Sequence, residues 1–550
     1  MIDTLMMAYL RPFEKENVTM ALYLCDFLPR GSFPTINLNP KFQQAFYPQN
    51  FSGQWESFSP FFRVPNPLTD QLLIEIPSAK IDNIIASMSS CPPYGLHNPL
   101  YQKERYVSYG QICARAADTL AQAEIAAYFA HLINTFIPKG YDESMGEVTV
   151  VRDFLYNLAG DGCRYLAESF SRPGNRTGQE ASGYRWPYGP VAIITPFNFP
   201  LEIPALQLVS ALAMGNKVLL KPDMRVAPVA EAFVRLLLAC GMPQNDMCLL
   251  HADGPTTEHL MRVKRNHRQP LIRLIQFTGS TRVAKRLMRL TDGRVKVEDS
   301  GFDWKILGPN FIPEDFEPVT KQCDKDAYNI SGQKCSAQSF LIAHKRWVDA
   351  GLWEKLAELA NSRSLSDLSI GPVLTWSNSA IEKHLKRLLK IKGARILFGG
   401  SSVDQTLYAI PSQYGCFQPT AIFVPLAEIL PNLDLVAKEV FGPVQVVTQW
   451  DTQEDLDLII TLLNELEQHL TAGVVDRDVT FVEYILGRTI NGTTYAGILG
   501  RTTGAPQWHY FGPAGHPASA GIGTPEAIRS VWTCHREIIR DWGNTVLIYQ

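Results

Sequence analysis

Gly189-Pro-Val-Ala-Ile-Ile-Thr-Pro-Phe-Asn-Phe-Pro-Leu-Glu-Ile-Pro204 is the stretch from which the fold can be read. Val191 to Thr195 is a short apolar run suited to a buried strand. Leu201 to Met214 then reads as a helix stopped by Gly215. The alternation continues. Strands are predicted at Val218 to Leu220, Met247 to Leu250, Ile272 to Phe277 and Arg294 to Val297. Between them lie helices at Val226 to Cys240, Thr256 to Arg265 and Ser280 to Leu290. Strands alternating with helices of this length mean βαβ units and a parallel sheet. Such sheets bind ligands at the carboxyl ends of their strands.

A second alternation follows. It places strands at Ser339 to Ala343, Ala421 to Val424, Val444 to Gln449 and Thr471 to Val475. Helices are predicted at Trp347 to Ala360, Ser379 to Ile391 and Asp455 to Glu467. This is a second α/β domain. Upstream, Ile112, Ala116, Leu120 and Ile125 stand at helical spacing. Residues 1–65 are rich in Phe, Pro and Asn and read as an extended arm. Residues 502–523, rich in Gly, Pro and Ala, read as a long ordered loop near a site or interface.

The chain has 550 residues, enough for three to four units of roughly 150 residues or for two larger α/β domains. Lys plus Arg is 51 and Asp plus Glu is 54, a net charge of −3. That balance gives no electrostatic reason to bind nucleic acid or an anionic membrane. A 46% hydrophobic content argues for large cores and against a mainly disordered chain. The ten cysteines form no Cys-x-x-Cys, so neither a zinc ribbon nor a redox dithiol is suggested, no metal is expected, and the usage fits a reducing compartment. The longest uncharged stretch, Gln405 to Ala427, is broken by Pro411, Pro419 and Pro425, so no membrane span is predicted.

Five features carry chemistry, four of them with a plainer alternative. Cys335 lies in Ser331-Gly-Gln-Lys-Cys-Ser-Ala337, a Gly-bearing turn among small residues. A nucleophilic thiol needs such open space and a lowered pKa; taken alone, Cys335 also reads as a small buried cysteine. Asn198, just past a strand end, could donate to an oxyanion or merely cap a loop. Glu298, closing the strand of Val295-Lys-Val-Glu-Asp, could act as a general base or be a solvated carboxylate. Phe277-Thr-Gly-Ser-Thr281, between strand and helix, favours a phosphate at a helix N-terminus. Lys221 could bond a ribose or simply be a solvated strand end.

The combination is more specific than its parts. Thr195-Pro-Phe-Asn-Phe-Pro200, Leu220-Lys-Pro222, Phe277-Thr-Gly-Ser-Thr281, Gly332-Gln-Lys-Cys335 and Lys438-Glu-Val-Phe-Gly-Pro443 occur in that order. Over about residues 50–540 the chain resembles the aldehyde dehydrogenase superfamily. Within it the chain is most similar to plant-type Δ1-pyrroline-5-carboxylate dehydrogenases, through the quoted Gly189–Pro204 stretch, Glu298-Asp-Ser-Gly-Phe-Asp-Trp-Lys-Ile-Leu-Gly-Pro309, Asn491-Gly-Thr-Thr-Tyr-Ala-Gly497 and Thr503-Gly-Ala-Pro-Gln507.

The resemblance implies an aldehyde dehydrogenase fold: a Rossmann-type parallel-sheet cofactor domain, a second α/β catalytic domain and an oligomerisation hairpin. The implied boundaries are an arm at 1–50, an NAD-binding domain at 51–300 with the hairpin at about 174–188, a catalytic domain at 301–500, and a substrate loop and oligomerisation tail at 501–550. Cys335 would be the nucleophile, Glu298 the base toward water, and Asn198 an oxyanion donor. Thr195, Pro196, Phe197, Lys221, Gly279, Ser280, Glu439 and Phe441 would line the NAD site. Ser336, Gly504, Ala505 and Phe511 would form the substrate site, the first three holding a carboxylate.

The implied reaction is oxidation of L-glutamate γ-semialdehyde to L-glutamate, or else of another small aldehyde. The implied assembly is a homodimer or higher homo-oligomer. The implied place is the mitochondrial matrix in a eukaryote, otherwise the cytoplasm. Against the matrix, residues 1–30 carry three basic and four acidic side chains, a poor transit peptide. There are three departures from the family pattern. Asp223 and Met224 leave out the usual acid on the adenosine ribose, Ala284 replaces a second glycine of the cofactor turn, and Ser300 replaces a glycine after Glu298.

Overall fold

The apolar run at the head of the motif forms the strand Pro190–Ile194, buried at every position. A computed structural model describes residues 49–101, 104–299, 301–404, 408–504 and 506–543. The arm at 1–48, Ala505 and Ser300 lie outside those residues. Pro190–Ile194 pairs in parallel with Lys217–Lys221 on one side and Leu274–Gly279 on the other. Met247–Leu249 and Val295–Asp299 extend the sheet at either end, also in parallel.

In chain order these five strands run 5-4-1-2-3 across the sheet. The direction of winding reverses between Pro190–Ile194 and Leu274–Gly279. A crevice therefore opens at the carboxyl ends of those two strands, where ligands of such sheets bind. The residues following them are Thr195-Pro-Phe-Asn198 and Ser280.

Helices cover both faces of the sheet. Glu202–Ala213 is apolar nearly all round and almost wholly buried, which is what a helix packed between a sheet and other helices requires. Ala227–Ala239 begins with Pro at its first turn, where the missing N–H costs nothing. Of the expected arm, residues 49–65 are described and consist largely of short strands. Asn50–Phe51 adds an antiparallel strand to the edge of the sheet beside Met247–Leu249, and Trp55–Glu56 continues it. The segment closes an edge that would otherwise be open to pairing with another chain.

The second sheet has seven strands, in the order Arg395–Phe398, Thr420–Phe423, Val444–Trp450, Phe340–His344, Trp304–Leu307, Thr471–Val475 and Thr493–Ala496. All pair in parallel except the first. The predicted helix at Trp347 to Ala360 is two helices, Lys345–Asp349 and Leu352–Asn361. Gly351, at φ +94°, separates them. A third, antiparallel sheet joins Phe170–Pro173 and Gln179–Pro187 to Thr533–Asp541 near the C-terminus. Among the described residues no helix is long and apolar enough to cross a membrane.

One buried ion pair fixes the crevice side of the first domain. Lys139 Nζ lies 2.9 Å from Glu147, with both side chains fully buried. Glu147 Oε1 also accepts from the backbone N–H groups of Leu201 and Glu202, at 2.7 and 2.9 Å. A carboxylate on a remote helix thus caps the helix that follows Asn198, favourably placed at its positive end. We predict that Glu147→Gln, which leaves Lys139 buried without its counter-charge, costs about 3–5 kcal/mol. Chemical denaturation checks this; an unchanged midpoint would show that the pair contributes nothing to holding the loop.

Candidate active site

Cys335 follows a turn that few sequences can make. Ile330, Ser331 and Gly332 all have left-handed backbone, with φ of +57°, +53° and +68°. Such strain in two non-glycine residues persists only where the surroundings hold it. Here Ser331 Oγ donates to Gly371 O and accepts from Gly371 N, at 3.1 and 2.7 Å. Gln333 bonds Pro372 O and the Leu374 N–H, at 2.9 and 2.8 Å. A side chain at Gly332 would overlap the Gly442 carbonyl. That close approach explains why the Gly332 and Lys438–Pro443 motifs occur together.

The turn presents Cys335 partly exposed, at the junction of the two domains. Glu298 lies close enough for its charge to act on the thiol. Glu298, last but one in its strand, pairs with Thr278 and is only 2% exposed, so it is no solvated carboxylate. Asn198 is buried at 2%, in the loop after the first strand of the crevice. Phe197 beside it meets Phe441 edge-on, with ring centroids 5.9 Å apart. This contact closes one wall of the site between the domains.

The expectation of a lowered thiol pKa is corrected. Burial pushes the Cys335 thiol well above its usual range, and the neighbouring Glu298 charge raises it further. The resting nucleophile is therefore a protonated thiol with a potential base beside it. Two further carboxyl groups shape this environment. Burial, with Glu147 as the next influence, raises Glu202 to about 8. Burial also raises Asp303 well above the carboxylate range, although one of its oxygens accepts from Thr471 N at 2.7 Å. Burial disfavours the charged form of both, which limits the negative charge around Cys335. Glu202 was legible as a lone charge within the apolar Phe199–Leu206 run; Asp303 gave no such signal.

Several of the dinucleotide candidates follow the two strands that frame the crevice. Thr195 Oγ1 is buried with no hydrogen-bond partner among the described residues. Gly279 carries a φ of +157°, and a side chain there would press 2.8 Å from the Phe277 ring. Ser280 stands at the N-cap of Thr281–Leu290, and its side chain makes no capping bond. An unpaired hydroxyl, a cradle only glycine leaves open and a helix N-terminus fit a pyrophosphate. Lys221 and Glu439 are half-buried, and desolvation lowers the Lys221 pKa. Pro196 and Phe441 are half-buried in the same walls.

On the substrate side the structure brings Ser336 and the 502–504 loop together. Ser336 is buried, and its carbonyl accepts from Thr503 Oγ1 at 3.3 Å. A side chain at Gly504 would collide with the Tyr495 hydroxyl, itself 2.8 Å from His509 Nε2. Phe511 is buried, and its backbone exchanges both hydrogen bonds with Ile522. Tyr495, His509 and Ser519 are additions that the sequence reading did not reach. Ser519 lies in a segment that clamps the strand one residue before Glu298: Val297 N donates to Ala518 O and Ala520 N to Val297 O, at 2.7 and 2.9 Å. The Ser519 hydroxyl is buried and unpartnered among the described residues. Among those residues no cluster of His, Cys, Asp and Glu is arranged to hold a metal ion.

The thiol environment yields a prediction. Glu298→Gln removes a charge that raises the Cys335 pKa, while the desolvation remains. Iodoacetamide labelling of Cys335, followed by peptide mass spectrometry, should therefore have its pH midpoint lowered and run faster near pH 8 than in the wild type. Slower labelling of the variant would instead mean that Glu298 deprotonates the resting thiol.

Residues 55–516 match the model of the aldehyde dehydrogenase family. The chain is 49% identical over 499 residues to Δ1-pyrroline-5-carboxylate dehydrogenase 12A1, mitochondrial, of Arabidopsis thaliana, covering 89% of this chain and 87% of that one. It is 49% identical over 496 residues to a probable aldehyde dehydrogenase of Linum usitatissimum, covering 89% and 88%. Among solved structures, succinate-semialdehyde dehydrogenase from Burkholderia pseudomallei superposes with a TM-score of 0.75 at 22% identity, over 90% of this chain and 98% of that one. PnpE in complex with nicotinamide adenine dinucleotide gives 0.77 at 21%, over 90% and 97%. With the paired thiol and carboxylate at the junction of two parallel sheets, and a family match across most of its length, the chain belongs to the aldehyde dehydrogenase family.

Proposed function

We propose that the chain is an NAD-dependent dehydrogenase that oxidises L-glutamate γ-semialdehyde, the open form of 1-pyrroline-5-carboxylate, to L-glutamate. The observation that carries the chemistry is the Cys335 thiol set within electrostatic reach of a buried Glu298. The 49% identity to the Arabidopsis pyrroline-5-carboxylate dehydrogenase supports the choice of substrate.

Cys335 attacks the aldehyde carbon as its proton passes to Glu298, giving a thiohemiacetal. Asn198 and the backbone N–H of Cys335 hold the oxyanion. Thr195, Pro196, Phe197, Lys221, Gly279, Ser280, Glu439 and Phe441 hold the dinucleotide, which supplies a hydride acceptor when bound. Loss of hydride from the same carbon leaves a thioester on Cys335. Glu298 then takes a proton from the water that hydrolyses it, a role suited to a carboxylate that has given up its first proton to solvent. Ser336, Phe511 and the Gly504 loop seat the remote end of the substrate.

The antiparallel sheet suits assembly with a second copy. Thr533–Asp541 lies at its edge, and Phe170, Ile539 and Trp542 leave large apolar area exposed there. A homodimer or higher homo-oligomer is the reading that covers it. The word mitochondrial in the Arabidopsis relative's name supports a matrix location if the source is eukaryotic.

NADH formation with pyrroline-5-carboxylate tests the activity directly. Cys335→Ala should abolish it, since no other side chain at that turn can form the thioester. Glu298→Gln should slow deacylation by about 10²–10⁴-fold and show a burst of NADH if hydride transfer stays fast. Robust turnover by Cys335→Ala would remove the nucleophile assignment.

Substrate choice gives a separate prediction. The semialdehyde bears a carboxylate that hexanal lacks, and a hydrogen bond to a charged group contributes about 1.5–3 kcal/mol. Ser336→Ala should lower kcat/KM for the semialdehyde well below the change for hexanal. Gly504→Val, which drives a side chain into Tyr495 Oη, should act in the same direction and more strongly. Equal losses on both aldehydes would show that these residues position Cys335 instead of selecting the substrate.

A further inference from the structure

The strand Lys217–Lys221 ends beside the crevice; the Thr195 N–H donates to Lys221 O at 3.1 Å. In doubly wound sheets an acid near this point accepts from the ribose hydroxyls of NAD, whereas an arginine accommodates the 2′-phosphate of NADP. This chain has Met224 at the position where its family usually carries that acid. It places both other elements close by: Asp223 and Arg225.

The two are locked together. Arg225 Nε donates to Asp223 Oδ1 at 3.0 Å, and a terminal guanidinium nitrogen donates to Oδ2 at 2.8 Å. The Arg225 backbone N–H adds a third bond to Oδ1, at 2.9 Å. The remaining guanidinium nitrogen reaches Leu374 O in the second domain at 2.8 Å. The guanidinium also lies over the Phe197 ring, 4.5 Å from its centroid. This is a clasp built into the wall of the site, unlike a mobile surface pair. Both side chains keep about a quarter of their area exposed, 25% for Asp223 and 29% for Arg225, so a ligand can reach them.

The charges facing this corner are Lys221, Asp223, Arg225 and Asp253. Burial works against ionised Asp223, yet the Arg225 charge and hydrogen bonds hold its pKa down to about 2. The carboxylate is thus ionised at any working pH. An approaching 2′-phosphate would meet two carboxylates beside Lys221, and an arginine whose nitrogens on all three sides are already engaged.

We infer that the Asp223–Arg225 clasp selects NAD over NADP, with Asp223 turning away the 2′-phosphate and withholding Arg225 from it. The inference rests on the NAD-dependent reading above and adds the residues that decide between the two dinucleotides. Breaking the clasp from the acid side removes one repulsion and frees a guanidinium, the side chain best shaped to take a phosphate.

The test is a binding measurement on the full chain, by calorimetry or quenching of tryptophan fluorescence, with NADH and NADPH. For Asp223→Ser the ratio of Kd(NADPH) to Kd(NADH) should fall by roughly ten- to a hundredfold, the worth of a hydrogen bond to a charged group. Asp223→Asn, which keeps the shape and loses the charge, should move the ratio the same way by less. Adding Arg225→Gln to Asp223→Ser should restore most of the wild-type ratio. An unchanged ratio in both single variants, with NADH still bound, would overturn the inference. A gain that persists in the double variant would overturn the part given to Arg225. Failure of the wild type to bind either dinucleotide would overturn the NAD reading itself, and this inference with it.

Discussion

The Asp326 carboxylate is the anchor from which the nucleophile turn and the substrate loop both hang. Lys305, in the middle of the second sheet, reaches it at 2.7 Å with both side chains buried. Gln322, one helical turn earlier, donates to its other oxygen. Thr502 N, at the head of the substrate loop, donates to the same oxygen as Lys305. On the other side of the residue, its backbone carbonyl accepts from Lys334 Nζ and Gln338 N, which bracket Cys335. Sheet, helix, nucleophile and substrate loop are therefore referred to one residue. A buried charge left without partners is so costly that this arrangement admits few alternatives.

A similar device serves the first domain. Lys139 neutralises Glu147, and Glu147 caps the helix that follows Asn198. In both places the ion pair is internal while the residue it orients faces the crevice. The chemistry then arises where the two supported loops both meet the 441–442 segment, with Gly332 against Gly442 and Phe197 against Phe441. Small residues at the first contact let backbones touch; aromatic rings at the second fill the gap between domains. The strain in Ile330 and Ser331 is tolerable because bonds to the 371–374 segment hold the turn from outside.

The first sheet was largely legible because its strands are buried on both faces and read as plain apolar runs. The second was less so. Trp304–Leu307 lies at its centre but contains Lys305, which looks like a solvent-facing residue until Asp326 is placed beneath it. The helix Pro313–Tyr328 was missed for a related reason: it carries Pro318 within it and many acidic residues, several buried against basic partners. Strand order was also beyond reach, since parallel neighbours are set by contacts distant in sequence. The site residues announced themselves through small-residue motifs. Their protonation did not, because Cys335 owes its raised pKa to burial and to Glu298, neither of which shows in Gly-Gln-Lys-Cys-Ser.

That protonation has a mechanistic consequence. A thiolate free in the crevice would be a strong nucleophile toward any electrophile, and oxidation follows thiolate character. A thiol held protonated by burial and by an adjacent carboxylate is shielded while the site is idle. Burial disfavours the charged forms of Glu202 and Asp303 as well, which limits the negative charge that opposes thiolate formation. The balance between these groups lets one carboxylate, Glu298, serve twice in the proposed cycle. It first accepts the thiol proton as the aldehyde arrives, and later accepts a proton from water once the sulfur is acylated. Each step needs the base to be unprotonated and near the reacting atom. The strand end that fixes Glu298 beside Cys335 meets the second need, and proton loss to solvent between the steps meets the first.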